Sequence, residues 1–234
     1  MPVLQVQRET PRARRLVLYP PDWPGHQPGQ HLDVRLTAPD GYTAQRSYSI
    51  ASAPEAQYVE LVVDRLPDGE VSPYLTDELR SGDDLEVRGP FGRWFVWHVG
   101  LGGPVQLIAG GSGVVPFLAM IDHHRAAGSD VPVRLLYSAR SLADVFRRER
   151  LSEADRGVRV DLALTREAPP DWTGVTGRVD GAVLSRLTFP PDAEPQVFVC
   201  GPTGFVDTVA GAMIGLGHPS EKIKTERFGA TGGT

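Results

Sequence analysis

Val105-Gln106-Leu107-Ile108-Ala109-Gly110-Gly111-Ser112-Gly113-Val114-Val115-Pro116 is the stretch whose reading decides the fold class. Its first five residues form an apolar run of the kind carried by a strand buried on both faces. The glycines permit a tight turn, and the residues from Pro116 to about Ala127 read as a helix. Proline is acceptable there, because the first helical turn leaves its N–H groups unpaired in any case. In this context small residues let an anionic pyrophosphate approach the start of a helix.

Downstream the alternation repeats. Val133-Arg134-Leu135-Leu136-Tyr137, Val158-Arg159-Val160-Asp161-Leu162-Ala163-Leu164 and Gln196-Val197-Phe198-Val199-Cys200 read as strands, with helical segments around residues 142–154 and 203–216. Strand–helix alternation predicts a Rossmann-like parallel sheet with helices on both faces. Upstream of Gly100-Leu101-Gly102-Gly103-Pro104, a plausible hinge, the pattern is different. Val3-Leu4-Gln5-Val6, Arg15-Leu16-Val17-Leu18-Tyr19, His31-Leu32-Asp33-Val34-Arg35-Leu36 and Tyr58-Val59-Glu60-Leu61-Val62-Val63 are short strand patterns. Turn signals at Pro20-Pro21-Asp22-Trp23-Pro24-Gly25, Pro39-Asp40-Gly41 and Gly89-Pro90-Phe91-Gly92 separate them. Such a series predicts a small antiparallel β-barrel. One helix is expected near residues 72–80, with Ser72 as N-cap and Pro73 at the first helical position. The expectation is therefore two domains, a β-barrel over residues 1–100 and an α/β unit over residues 101–234.

Composition narrows the function classes. The 234 residues are 41% hydrophobic and 23% charged, an ordinary globular mixture. A net charge of −5 lacks the basic excess of a nucleic-acid binder. No stretch approaches the about 20 apolar residues of a membrane span, and no signal-peptide core follows Met1, so a soluble, monomeric, cytoplasmic protein is expected. Cys200 is the only cysteine, which excludes an intramolecular disulfide and a plant-type iron–sulfur cluster on this chain. The six histidines form no metal-binding framework, since His123 and His124 diverge around the predicted helix. No metal site is expected.

Several short runs carry chemistry. In Arg46-Ser47-Tyr48-Ser49, alternate side chains of a strand share a face, placing Arg46 and Tyr48 together and Ser49 opposite. Tyr48 offers a stacking surface, Ser49 a hydroxyl, and Arg46 a fork suited to phosphate. Gly69-Glu70-Val71-Ser72, Gly110-Gly111-Ser112-Gly113, Cys200-Gly201-Pro202 and Glu226-Arg227-Phe228 follow in order. Together these runs resemble the ferredoxin–NADP reductase family across nearly the whole chain. The resemblance implies that Arg46, Tyr48, Ser49, Gly69, Val71 and Ser72 hold the flavin and its pyrophosphate, with Val62, Val63 and Asp64 on the adenosine side. FAD is the expected cofactor, although an FMN-binding branch shares the Arg-x-Tyr-Ser run.

The same resemblance places Gly110, Gly111, Ser112, Gly113 and Pro116 at the dinucleotide, and Cys200, Gly201 and Pro202 beside the nicotinamide. It groups Ser49, Cys200 and Glu226 as catalytic, with Phe228 covering the flavin face. Plant-type members usually end in tyrosine; here Phe228 is followed by residues 229–234, whose relation to the flavin stays open. Both NADPH and NADH remain possible donors. The strand ending at Tyr137-Ser138-Ala139-Arg140 lacks an acidic residue for a free ribose 2′-hydroxyl, and Ser138, Arg140 and Arg166 are candidates for a 2′-phosphate. The implied activity is hydride transfer from nicotinamide to flavin, then single electrons to a separate acceptor such as a ferredoxin or an oxygenase component. Arg12, Arg14 and Arg15 are candidate docking cations. The alternatives are a ferric-chelate (siderophore-type) reductase and a non-catalytic flavin-binding regulatory module. A dihydroorotate-type electron-transfer subunit would carry a C-terminal cysteine cluster, which this chain lacks.

Overall fold

The computed structural model describes residues 1–153 and 157–228. The chain divides into two compact units, Met1–His98 with Val115–His123, and Val99–Val114 with His124–Thr234.

The first unit holds β1 (Val3–Arg8), β2 (Ala13–Leu18), β3 (His31–Thr37), β4 (Thr43–Ser49), β5 (Val59–Asp64) and β6 (Glu86–Phe91). They form two antiparallel three-stranded sheets, β1-β2-β5 and β4-β3-β6. Single bridges, Ile50 to Leu61 and Pro2 to Asp84, join the two sheets into a barrel. Strand alternation explains its filling. Along β3, Leu32 and Val34 are buried while Asp33 and Arg35 turn outward. Leu16, Leu18, Leu32, Val34, Ile50, Leu61 and Val63 share one core, and each fully buried side chain of this kind stabilises the fold by about 1.5–3 kcal/mol.

Two expectations in this unit need correcting. Gly89-Pro90 is not merely a turn, since both residues lie within β6. The pairing with β3 shifts register between His31 and Asp33, opposite that dipeptide, so the missing proline N–H falls at an irregularity in the ladder. The helix expected over residues 72–80 is a short turn ending in a π-helical segment, Tyr74–Glu78. Ser72 does not cap it with its side chain. Its Oγ instead accepts the Leu66 N–H at 3.0 Å, and the Thr76 hydroxyl donates back to the Ser72 carbonyl at 2.9 Å. Helix α1 (Val115–Ala126) contributes most of its length to this unit. Phe117 lies 5.8 Å from Phe95 between ring centroids, and His123 Nδ1 is 2.7 Å from Glu55 Oε1.

The second unit is a six-stranded parallel sheet of β7 (Val105–Gly110), β8 (Val133–Ala139), β9 (Val158–Leu164), β10 (Val175–Thr176), β11 (Gln196–Pro202) and β12 (Ile223–Phe228). The spatial order is β10-β9-β8-β7-β11-β12. From β7 the chain builds outward through β10, then returns to β7's other side with β11. The order reverses between β7 and β11, a topological switch point, outside whose carboxyl ends ligands bind in such sheets. Ile108, Leu136, Val197 and Val199 pack with α3 (Gly181–Leu187) and α4 (Thr203–Gly215) through Leu184, Val206, Val209 and Met213. Asp180 caps α3 by accepting the Val183 N–H at 2.9 Å.

Gln106 interrupts the apolar run of β7 yet is fully buried. Its amide donates to the Arg134 carbonyl at 3.2 Å and accepts the Phe189 N–H at 3.0 Å, which offsets the cost of burial. The helical material expected over 142–154 reduces to a 3₁₀ turn, Leu142–Asp144, and the short α2 (Arg148–Ser152); residue 154 lies outside the described residues. Between them the Phe146 N–H donates to the Tyr137 hydroxyl at 3.3 Å and Arg147 is left-handed (φ 52°), so the turns cannot merge. Strands β10 and β12 and helix α3 carry no expectation from sequence. Among the described residues, no helix is long and apolar enough to cross a membrane, and no group of His, Cys, Asp and Glu could hold a metal ion.

Candidate functional site

In the first unit, the candidate flavin residues gather along one seam of the barrel. β4 and β5 meet only at the Ile50–Leu61 bridge, and no ladder joins them elsewhere among the described residues. β4 before Ile50 and β5 after Leu61 thus run beside the seam with no ladder between them among the described residues. Main-chain groups along such a seam suit a ligand rich in hydrogen-bonding atoms. Arg46, Tyr48 and Ser49 lie on the β4 side, and Val62, Val63 and Asp64 on the β5 side.

Tyr48 is half-buried against the barrel core, and burial pushes its phenol pKa up, so it is a neutral aromatic surface. Arg46 shares its face but is exposed; Nη1 donates to the Gln45 carbonyl at 2.7 Å and Nη2 reaches Glu70 Oε2 at 2.5 Å. Ser49 is half-buried on the opposite face. Asp64 pairs with Arg12 at 3.5 Å, while Val62 and Val63 are buried, leaving their main chain as the usable part. Arg15 is held by Glu60 at 3.1 Å, so these two candidate docking arginines are engaged within the unit.

Gly69, Val71 and Ser72 form the turn after β5. Val71 is core, and a Cβ at Gly69 would stand 2.9 Å from Ser72 Oγ. A side chain at this position would therefore crowd the turn's own hydroxyl. Glu70, quoted in the run but given no role there, contacts both Arg46 and Tyr42. Nothing in the local pattern announces that contact, because Tyr42 and Arg46 come from distant sequence.

In the second unit, Gly110 ends β7 and Gly111-Ser112-Gly113-Val114 make a 3₁₀ turn at the switch point. Gly111 has φ +55° and open space where a Cβ would be. Gly113 is constrained from inside: a Cβ there would lie 2.2 Å from the Cys200 carbonyl oxygen. Pro116 is the second residue of α1, and the helix begins at Val115. Gly110 and Gly201 both face the Phe205 ring, with Cβ positions 2.8 Å from it. Contact with the β11 backbone at Gly113, and with the Phe205 ring of α4 at Gly110 and Gly201, leaves no space for a side chain at these three glycines.

Cys200 pairs in register with Glu226, and Pro202 with Phe228, on adjacent parallel strands. Directly registered residues share a face, so thiol and carboxyl are neighbours. Burial, aided by the Glu226 charge, holds the Cys200 thiol well above its ordinary pKa. Burial pushes the Glu226 carboxyl up to about 7. Phe228 keeps an exposed ring, and residues 229–234, whose contact with the flavin the sequence left open, lie outside the described residues. Ser138 is buried at the end of β8, and the Arg140 carbonyl accepts the N–H groups of Arg166 and Glu167 at 2.9 and 3.0 Å. The backbone thus brings the two candidate 2′-phosphate arginines together. Ser49 belongs to the first unit, and Cys200, Glu226 and Phe228 to the second.

The donor set fits the expected cofactors. The first unit offers an aromatic face, a guanidinium and open main-chain edges for a flavin dinucleotide. The second offers a glycine turn at a switch point for a nicotinamide dinucleotide.

Comparison with known proteins agrees. Residues 12–96 match the oxidoreductase FAD-binding domain and residues 107–211 the oxidoreductase NAD-binding domain. The chain is 31% identical over 211 residues to the glycine betaine monooxygenase reductase subunit of Chromohalobacter salexigens, covering 88% of this chain but only 56% of that protein. It is 32% identical over 225 residues to NADH-cytochrome b5 reductase 1 of Aspergillus terreus, covering 89% and 75% of the two chains. Among solved structures, the flavohem-like FAD/NAD-binding domain of nitric oxide dioxygenase from Vibrio cholerae O1 biovar El Tor superposes with a TM-score of 0.85 at 26% identity, covering 98% of both chains. A barrel with an open flavin seam, followed by a parallel sheet with a glycine turn at its switch point, places this chain in the ferredoxin–NADP reductase-like family of FAD- and NAD-binding oxidoreductases.

Proposed function

We propose that this chain is an NAD(P)H-dependent flavoprotein reductase that passes electrons to a separate protein acceptor, an oxygenase component or a ferredoxin. The observation that carries the proposal is the Cys200–Glu226 pair, registered on β11 and β12 beside the glycine turn. That the similar protein of Chromohalobacter salexigens is a monooxygenase reductase subunit supports the choice of acceptor.

Bound FAD supplies the exchange between the two-electron chemistry of a nicotinamide and the one-electron chemistry of the acceptor. The chain's residues bind and orient. Tyr48 gives a neutral stacking face, Arg46 a charge for the pyrophosphate, Ser49 a hydroxyl at the ring edge, and Val62, Val63 and Asp64 main-chain groups for the adenosine side. Gly110, Gly111, Ser112, Gly201 and Pro202 leave room for a dinucleotide at the strand ends, with Pro116 in the first turn of the helix that follows. Cys200, neutral and small, provides an uncharged wall for the nicotinamide ring. Glu226, with a pKa of about 7, holds or releases a proton at its carboxyl within the working range and can hydrogen-bond a carboxamide in either state. Phe228 offers a ring that moves aside. Arg140, Arg166 and Ser138 favour NADPH over NADH.

Anaerobic mixing of the FAD-loaded protein with NADPH or NADH tests the proposal. Bleaching of the flavin absorbance is expected, and a flavin that stays oxidised with both donors would sink it. Subsequent reoxidation by candidate ferredoxins or oxygenase components, compared with ferric chelates, identifies the acceptor class.

A further inference from the structure

Glu70 stands in an unusual place for an acidic residue. It belongs to the turn after β5, whose shape is fixed by the Gly69 N–H donating to the Leu66 carbonyl at 3.0 Å and the Leu66 N–H donating to Ser72 Oγ at 3.0 Å. From there its carboxylate reaches back to Arg46 on β4. One oxygen takes Arg46 Nη2 at 2.5 Å and the other takes the Tyr42 hydroxyl at 2.5 Å. Both oxygens are engaged, and the two hydrogen bonds, Tyr42's first, hold the carboxyl below its ordinary pKa. Tyr42 is itself set by the Asp40 turn, whose carboxylate accepts the Tyr42 N–H at 3.0 Å. Arg46 Nη1 donates to the Gln45 carbonyl at 2.7 Å.

We propose that Glu70 limits flavin affinity, its carboxylate competing with the cofactor's phosphates for the Arg46 guanidinium. The inference rests on the reading of Arg46 as the pyrophosphate clamp. A guanidinium offers one planar fork of donors, and an anion already on that fork must share it or leave when a phosphate arrives. If Glu70 stays, like charges face each other; if it leaves, its bonds to Arg46 and Tyr42 are lost. Either route weakens phosphate binding relative to a neutral side chain of the same shape. Both partners are about half exposed, so screening keeps the effect small. The competitor acts only on ligands that carry phosphate, and riboflavin should not sense it.

The test is titration of the full chain, stripped of flavin, with FAD, FMN and riboflavin, followed by quenching of flavin fluorescence. Glu70→Gln and Glu70→Ala should each lower the Kd for FAD and FMN by about two- to fivefold. Riboflavin binding should not change, and the gain should shrink at high salt. In the Arg46→Ala background, Glu70→Gln should give a clearly smaller gain, because the contested cation is gone and only like-charge repulsion is relieved. Unchanged or weaker FAD binding in both Glu70 variants, with Arg46→Ala still weakening FAD, would overturn the competition while leaving the clamp intact. An equal tightening for riboflavin would overturn it as well. Full FAD affinity in Arg46→Ala alone would remove the clamp reading, and the competition with it.

Discussion

Cys200 and Glu226 stand directly opposite each other on β11 and β12, next on the same face after Phe198 and Lys224, whose side chains meet at 5.0 Å in a cation–π contact. Burial pushes both groups toward their neutral forms, and the carboxylate's charge opposes ionisation of the thiol further.

The thiol is accordingly a poor nucleophile despite its place near the carboxyl end of β11, since the thiolate is the reactive form. Iodoacetamide at mildly alkaline pH should leave the folded protein unmodified and label it once in denaturant. Intact mass gives a clean reading, as Cys200 is the only cysteine.

Glu226 sets a pH dependence whose sign is fixed by its raised pKa. Between the ordinary carboxyl value of 4.5 and about 7 the folded chain holds a proton that the unfolded chain releases. That stabilisation is present below the lower value and is lost as pH rises through the upper one. Glu226→Gln should remove the dependence, gaining roughly 1–3 kcal/mol over the parent at about pH 8 relative to about pH 5. Urea midpoints at the two pH values check this.

Gly113→Ala and Gly111→Ala should behave differently although the glycines are near neighbours. At Gly113 the new methyl would meet the Cys200 carbonyl oxygen at 2.2 Å, forcing the turn off β11. A loss of about 3 kcal/mol or more, with lost nucleotide binding, is expected. Gly111 has open space but a φ of +55°, so its alanine variant carries only backbone strain of about 1 kcal/mol. Thermal unfolding and NAD(P)H titration of both variants separate the two causes.

Arg140→Ala and Arg166→Ala should each raise KM for NADPH about tenfold with little change for NADH, because only NADPH carries the ribose 2′-phosphate that the arginines would meet. Equal effects on both donors would assign the arginines to the loop fold alone.

Much of this molecule was legible in its sequence because its strongest signals are local. The buried run of β7 with its glycines, and the alternating β1, β2, β3 and β5, state their structure within a few residues. What escaped was non-local. Val175–Thr176 is too short to show a period and becomes β10 only by pairing with β9. The Glu226 segment reads as a motif, and only its register with β11 makes it a strand. Ser72 resembled a cap because Ser-Pro begins many helices, but the Leu66 N–H competes for its oxygen. That Gly113 sits against the Cys200 carbonyl is likewise invisible in the motif, because the two lie far apart in sequence. In the candidate site, the residues were nameable in advance while their partners were not, Glu70 above all.

The single bridge between Ile50 and Leu61 has a consequence for the life of the protein in a cell. A sheet edge held by so little is where local opening begins, and opened strands are what proteases cut. A flavin lodged along that edge would occupy the groups that a neighbouring strand would otherwise satisfy, stabilising the folded chain by mass action. Turnover would then follow vitamin supply. Cells short of riboflavin should lose this protein by degradation as well as by inactivity, and a pulse–chase in a riboflavin auxotroph would show its half-life shortening.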